Sequence, residues 1–176
     1  MTERIIIAGF GGQGVLFSGK LLAQAGMMAG FNVTEIPSYG AEMRGGTANA
    51  AIIISDKEIA SPIIETPTTF LCLNAPSLER FIDSLAPGGL LVLNTSLVKN
   101  KPPKDDITII GVNANDLAAE AGNPGVVNMP VIGAYLKARG VLTLAIVERA
   151  LDKVISEKHK DLLAINKKAL TAGFGA

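Results

Sequence analysis

The chain has 176 residues, 16 Lys and Arg against 16 Asp and Glu, 48% apolar residues and 18% charged ones. That length suits one domain spanning residues 1–176, and the apolar share supplies a packed core and excludes disorder as the main state. A formal charge of zero argues against nucleic acid as the main partner, and a single cysteine excludes an intramolecular disulfide, a self-contained iron–sulfur cluster or a CxxC zinc site.

Arg4-Ile5-Ile6-Ile7-Ala8 is continuous and β-branched, the pattern of a strand buried on both faces. Gly9 to Gly14 forms a tight turn. Val15 to Ala29 reads as a helix with Leu21, Leu22, Ala25, Met28 and Ala29 on one stripe, while Gly19, Ala23 and Gly26 permit close approach to a sheet. Gly30 ends it. Asn32 to Ile36 reads as a second strand closed by Pro37, and residues 38–46 as a loop. Thr47 to Ser55 is predicted as a strand that turns at Asp56-Lys57 into Glu58-Ile59-Ala60, an antiparallel hairpin. Thr68 to Leu73 and Leu90 to Leu93 are further buried strands around a short helix from Ser77 to Leu85. A charged connection containing Pro102-Pro103 leads to a strand at Ile107 to Val112 and a helix capped by Asn113. The last third is helical: Val127 to Ala138, a helix capped by Thr143, and a charged helix from Glu157 to Leu170. Strand–helix alternation with one hairpin predicts an α/β fold, a single three-layer α/β/α domain on a mostly parallel sheet.

The first apolar run, Ile5 to Ala8, is too short for a signal peptide, and no stretch approaches the roughly 18–20 apolar residues of a membrane span. A cytoplasmic location is the expectation. His159 lies in the charged run Ser156 to Lys160 and reads as a solvated surface residue. High apolar content beside little charge predicts an apolar, glycine-rich face and self-association of the isolated chain.

Three glycine-containing segments carry the functional signal. Gly9-Phe10-Gly11-Gly12-Gln13-Gly14 is a literal G-x-G-x-x-G between a strand and a helix, and Glu35 ends the next strand. That is the Rossmann-like setting of a dinucleotide site, in which bare glycines and helix N–H groups meet an anion. The alternative to NAD or NADP is a turn facing another protein or a shared site. Gly14 to Leu21 nearly matches a P-loop, but Leu21 replaces the hydroxyl that binds magnesium, and the following strands end in Asn74 and Asn94 rather than Asp. The third segment, Pro37-Ser38-Tyr39-Gly40-Ala41-Glu42-Met43-Arg44-Gly45-Gly46, sets a phenol, a carboxylate, a thioether and a guanidinium among glycines. Arg44 beside Gly45-Gly46 offers a charged fork to an anion or a partner carboxylate, or braces internally against Glu42 or Tyr39. In an α/β sheet this loop and the first glycine turn both emerge at carboxyl ends of strands, as neighbours.

Gly9 to Gly14, Leu21-Leu22-Ala23, Pro37 to Gly40, Glu42 to Gly46, Ser61-Pro62 and Asn128 to Gly133-Ala134 together resemble one family, the gamma subunit or gamma domain of the 2-oxoacid:ferredoxin oxidoreductases. The resemblance covers essentially the whole chain. It is most similar to the 2-oxoglutarate branch, with branched-chain 2-oxo acid enzymes close behind; Ala41 departs from a proline common in relatives. The resemblance implies a subunit that is non-catalytic alone, within an enzyme converting a 2-oxo acid and coenzyme A to acyl-CoA and CO2. It implies thiamine diphosphate and Mg2+ on alpha and beta subunits, iron–sulfur clusters on beta or a ferredoxin-like subunit, and ferredoxin or flavodoxin as acceptor. No cofactor is expected on this chain, and it implies no catalytic residue or metal ligand here. Gly11, Gly12, Gln13, Gly14, Ser38, Tyr39, Glu42, Met43, Arg44, Gly45 and Gly46 form the expected ligand- or partner-facing loops. The alternative reading is a stand-alone Rossmann-like binder of NAD(P) or another nucleotide.

Overall fold

Ile5, Ile6, Ile7 and Ala8 are all buried, which a strand achieves only with neighbours on both edges and cover on both faces. A computed structural model of the chain describes residues 1–38, 47–100 and 102–176 and places this strand, β1 (Thr2–Phe10), inside a six-stranded sheet. The elements that follow are α1 (Val15–Met28), β2 (Asn32–Ser38), β3 (Thr47–Ser55), β4 (Thr69–Cys72), α2 (Ala75–Phe81), β5 (Leu90–Asn94), β6 (Thr108–Val112), α3 (Ala114–Ala121), α4 (Asn128–Arg139), α5 (Leu144–Val154) and α6 (Asp161–Gly175).

The strand order is β2-β3-β1-β4-β5-β6. β1–β4, β4–β5 and β5–β6 pair in parallel, whereas β3 pairs antiparallel with both β1 and β2. β3 alone therefore runs against the rest, and the mostly parallel α/β sheet is as expected. The hairpin expected at Asp56-Lys57 is corrected: residues 58–60 form no strand. β1 and β2 already occupy both edges of β3, which leaves no main-chain groups for a third partner. Pro37 does not close β2 but lies inside it, paired with Ala50. An edge strand tolerates this, because the missing N–H can face away from the ladder.

The three layers are unequal. On one face Ile5, Ile7, Ile52, Ile54 and Leu71 pack with Leu21 and Leu22 of α1, Ile132 and Tyr135 of α4, and buried residues of α3, α5 and α6. On the other, Ile6, Ala8, Phe70, Cys72 and Leu91 are covered by α2 through Leu78, by the following short turn through Ile82, and by Val98. Toward β2 and β6 this thinner layer runs out: Ile36 and Ile109 are 37% and 38% exposed. Pro130 sits in the first turn of α4, where its missing N–H costs no helical bond. Thr143 caps α5, its Oγ1 accepting from Ile146 N at 3.3 Å. Asn113 precedes α3 as expected, but its side chain bonds Ser96 and Asp116 instead of capping. No described helix is long and apolar enough to cross a membrane.

Candidate functional site

All strands except β3 deliver their carboxyl ends to one edge of the sheet. The turn from Gly11 to Gly14 lies there, between Phe10 of β1 and Val15 of α1. Gln13 shapes it from within. Phe10 N donates to Gln13 Oε1 at 2.7 Å, and Gln13 N donates to Phe10 O at 3.2 Å. Asn74 Nδ2 donates to the same Oε1 at 3.3 Å, while Asn74 Oδ1 accepts from Ser77 N at 2.9 Å and caps α2. One glutamine thus ties the glycine turn to the end of β4. Gly9 must stay bare, since a Cβ would lie 2.7 Å from Gln13 Oε1 and 2.9 Å from Leu73 Cβ.

Gly14 takes φ 75° at the start of α1; as a glycine it supplies no side-chain cap, and no acidic residue sits in the first turn. Ser18 N is bonded to Gly14 O at 2.9 Å, so the N–H groups of Val15, Leu16 and Phe17 have no intrahelical acceptor. They remain as donors at a positive helix end. Asn128, from the first turn of α4, covers Gly14 on the other side. Its Nδ2 donates to Ser18 Oγ at 2.8 Å and to Gly14 O at 3.2 Å. Two hollows meet at Gly14 and Phe17. One, of about 290 Å³, is walled by Phe17, Val126 and Ile155 with Asn128, Ser156, His159 and Asn166 as its polar members. The other, of about 270 Å³, lies along Phe10, Gly11, Gly12 and Leu16.

Gly11 and Gly12 are exposed, and Gln13 and Gly14 are half-buried. Ser38 ends β2 exposed at the same edge, opposite Asn49, while Phe10 pairs with Thr47 at the start of β3. Thr47 thus starts beside the glycine turn and Ser38 ends one strand further out on the same side. Tyr39, Glu42, Met43, Arg44, Gly45 and Gly46 themselves lie outside the described residues. His159 is exposed, as expected, and reaches the rim of the larger hollow.

The other strand ends are laced by neutral amides. Asn94 Nδ2 donates to Asn115 Oδ1 at 3.0 Å, and Asn94 Oδ1 accepts from Ser96 N at 3.1 Å. Among the described residues no group of three or more His, Cys, Asp or Glu could hold a metal ion. Cys72 is fully buried, its thiol donating to Asn74 O at 3.1 Å, and burial pushes its pKa up to about 12. It is a protonated core residue, not a nucleophile.

Two sequence patterns lose their setting in the fold. The P-loop-like stretch from Val15 is about the first two turns of α1, with Leu21 fully buried. Glu35, the acid that follows the glycine turn in the dinucleotide-type pattern, is on β2, and β3 separates β2 from β1. With about 4.8 Å per strand, β2 stands about 10 Å from β1 instead of beside it. The Glu35 carboxylate instead packs on α1, where a Cβ on Gly19 would meet its Oε1 at 2.8 Å. Burial raises the Glu35 pKa above its ordinary 4.5, with Lys20 opposing in part. Between those two values the folded chain binds more protons than the unfolded one, so this residue's contribution to stability falls as pH rises through that window. Glu35→Gln is expected to remove that fall, read as a flatter dependence of melting temperature on pH above 4.5 than the parent shows.

Residues 4–176 match the family model described as pyruvate ferredoxin/flavodoxin oxidoreductase. The chain belongs to that family. It is 36% identical over 172 residues to a ketoisovalerate oxidoreductase subunit VorA of Methanothermobacter marburgensis, covering 97% of this chain but 35% of that longer protein. The chain thus spans about a third of that relative's length. It is 32% identical over 173 residues to a 2-oxoglutarate synthase subunit KorC of the same organism, covering 93% of both chains. The structure of a keto/oxoacid ferredoxin oxidoreductase gamma subunit from Geobacter sulfurreducens superposes with a TM-score of 0.85 at 27% identity, over 98% of this chain and 96% of that one. The resemblance read from the glycine turn and the Pro37–Gly46 segment is therefore to the right family, and the relatives are subunits of oxidoreductases.

Within this family fold, the residues that sequence reasoning passed over are Asn128 and Asn74. Asn128 entered only as part of a shared motif. Its signal was a lone polar residue inside Val126-Val127-Asn128-Met129-Pro130-Val131, all of them buried. A buried amide in such a run needs partners, and Gly14 and Ser18 are those partners.

Proposed function

We propose that this chain is the gamma subunit of a 2-oxoacid:ferredoxin oxidoreductase acting on 2-oxoglutarate, which converts the 2-oxo acid and coenzyme A to acyl-CoA and CO2 and passes electrons to ferredoxin or flavodoxin. The observation that carries this reading is the end-to-end match to 2-oxoglutarate synthase subunits, 93% of both chains in the M. marburgensis case. The 36% identity to a ketoisovalerate oxidoreductase subunit supports a branched-chain 2-oxo acid as the second reading. Thiamine diphosphate, Mg2+ and the iron–sulfur clusters belong to alpha, beta and ferredoxin-like partners. Cys72, this chain's one cysteine, is buried and protonated and offers no cluster ligand. The chain's own contribution is assembly and the coenzyme A side of a shared cleft. Uncapped N–H groups of α1 and side-chain-free Gly11, Gly12 and Gly14 suit a phosphate, and the apolar hollow beside Phe17 suits an uncharged portion of the same ligand.

The test is co-expression with the thiamine-diphosphate-binding chains. A stable complex with 2-oxoglutarate-dependent acyl-CoA formation is expected, and the isolated chain turns nothing over. Arg44→Ala is expected to weaken assembly or raise the KM for coenzyme A, by about 2–5 kcal/mol if the lost pair is desolvated. The melting temperature of the isolated subunit should barely move. NAD(P) reduction by the isolated chain would overturn the assignment, and a loss of melting temperature alone would make the Arg44 loop an internal brace.

A further inference from the structure

The two edges of the sheet are built differently. β2 carries Pro37, which has no N–H, and the carboxylate of Glu35, both of which discourage pairing with another chain. β6, Thr108-Ile109-Ile110-Gly111-Val112, carries no charge and no proline. Thr108 N donates to Gly89 O at 2.8 Å, and Thr95 N donates to Val112 O at 2.8 Å. In a parallel ladder those two bonds commit Thr108, Ile110 and Val112 to β5. Ile109 and Gly111 therefore turn both N–H and C=O away from the sheet. Both residues are exposed, because α2 covers β4 and β5 but stops short of β6.

We propose that β6 pairs antiparallel with β6 of a second copy of this chain, about a two-fold axis at Ile110, joining two sheets into one. With the axis there, Ile109 lies opposite Gly111 of the second copy. Both residues have outward main-chain groups, so they exchange N–H···O bonds in both directions, and symmetry repeats the pair. A shift of one residue sets an outward residue against an inward one and loses those bonds. The side chains fit the same axis. The branched Ile109 meets a bare glycine on the thin face, while Ile110 meets Ile110 and Thr108 meets Val112 on the other. No like charges are brought together, and apolar cross-strand pairs of this kind are favourable. A strand that places its large residue opposite its own glycine is complementary to itself, which is the reason for choosing a second copy over an unrelated strand. So short a contact falls below the roughly 1,200 Å² of a stable interface. The dimer is therefore weak and grows with concentration.

Sedimentation velocity of the full chain over a concentration series, with amide exchange at each concentration, tests this. The mass should rise from 18.3 kDa toward twice that value, and the amides of Ile109 and Gly111 should become protected in step. Ile109→Lys should remain monomeric, with at least a tenfold rise in Kd. Ile36→Lys, at the other edge with near-equal exposure, should dimerise like the parent. If Ile109→Lys fails to fold, exchange in the parent chain decides. A monomer at every concentration up to about 1 mM, or a dimer whose Ile109 and Gly111 amides stay unprotected, overturns the proposal. Protection that appears only when the catalytic subunits are added assigns the edge to a partner strand and overturns it equally.

Discussion

Gly133→Ala is expected to lower the melting temperature by about 10 °C, the loss for roughly 3 kcal/mol of overpacking in a domain of this size. α4 and α6 cross at two glycines. A Cβ on Gly133 would lie 2.1 Å from Leu170 O and 2.6 Å from Phe174 N, and one on Gly173 would lie 2.0 Å from Pro130 O. These neighbours are backbone atoms of packed helices, so no side chain can swing aside. The helices must separate, and α4 carries Asn128, which holds Gly14 and Ser18. Thermal melting by circular dichroism reads the stability loss. Faster exchange of the α1 first-turn amides would show that the glycine turn loosens with it. An unchanged melting temperature would mean that the crossing adjusts without strain.

Arg139→Ala is expected to cost about 3 kcal/mol, at the low end for stripping the partner from a buried charge. At the amino edge of the sheet, Arg139 Nε lies 3.3 Å from Glu3 Oε1 and donates to Thr69 Oγ1 at 3.1 Å, and Nη2 donates to Thr68 O at 2.6 Å. Thr69 Oγ1 donates to Glu3 Oε1 at 2.5 Å. The Glu3 side chain is 8% exposed and that of Arg139 28%, so the arginine sees some solvent and the full buried-pair penalty does not apply. Tyr135 lies close by with its hydroxyl buried and without a hydrogen-bond partner among the described residues, and burial followed by the charge of Glu3 pushes its phenol pKa up. If the loss comes from an orphaned carboxylate, Glu3→Gln in the Arg139→Ala background should recover part of it. Additive losses in denaturant unfolding of the two single variants and the double would show that the groups are not coupled.

This clasp and the glycine turn stand at opposite ends of the parallel strands. Arg139→Ala should therefore destabilise the chain without altering exchange at Gly11 to Gly14, whereas Gly133→Ala should change both. The pairing of effects separates what holds the fold from what shapes the site.

Much of this was legible in the linear order of residues. The buried β-branched run of β1, the G-x-G-x-x-G after it, the stripe on α1 and the Thr143 cap of α5 are local patterns set by spacing and side-chain type. The family follows from motifs read together, and Gly11 to Gly14 at a carboxyl edge follows from strand–turn–helix order. The position of β3 was not legible. An apolar strand after a loop pairs wherever an edge is open, and its insertion between β1 and β2 is chosen by the whole sheet. That choice removed the hairpin at Asp56-Lys57, moved Glu35 away from the glycine turn and left β2 and β6 as the edges. Asn128 was likewise invisible as a site residue, because its partners are 114 and 110 positions away in the chain. Local chemistry by itself determined the elements, the turn and the family of this protein. Tertiary structure alone decided which strand lies beside β1, which amide fastens Gly14 and which edge stays open, because each depends on long-range pairing that no window of sequence contains.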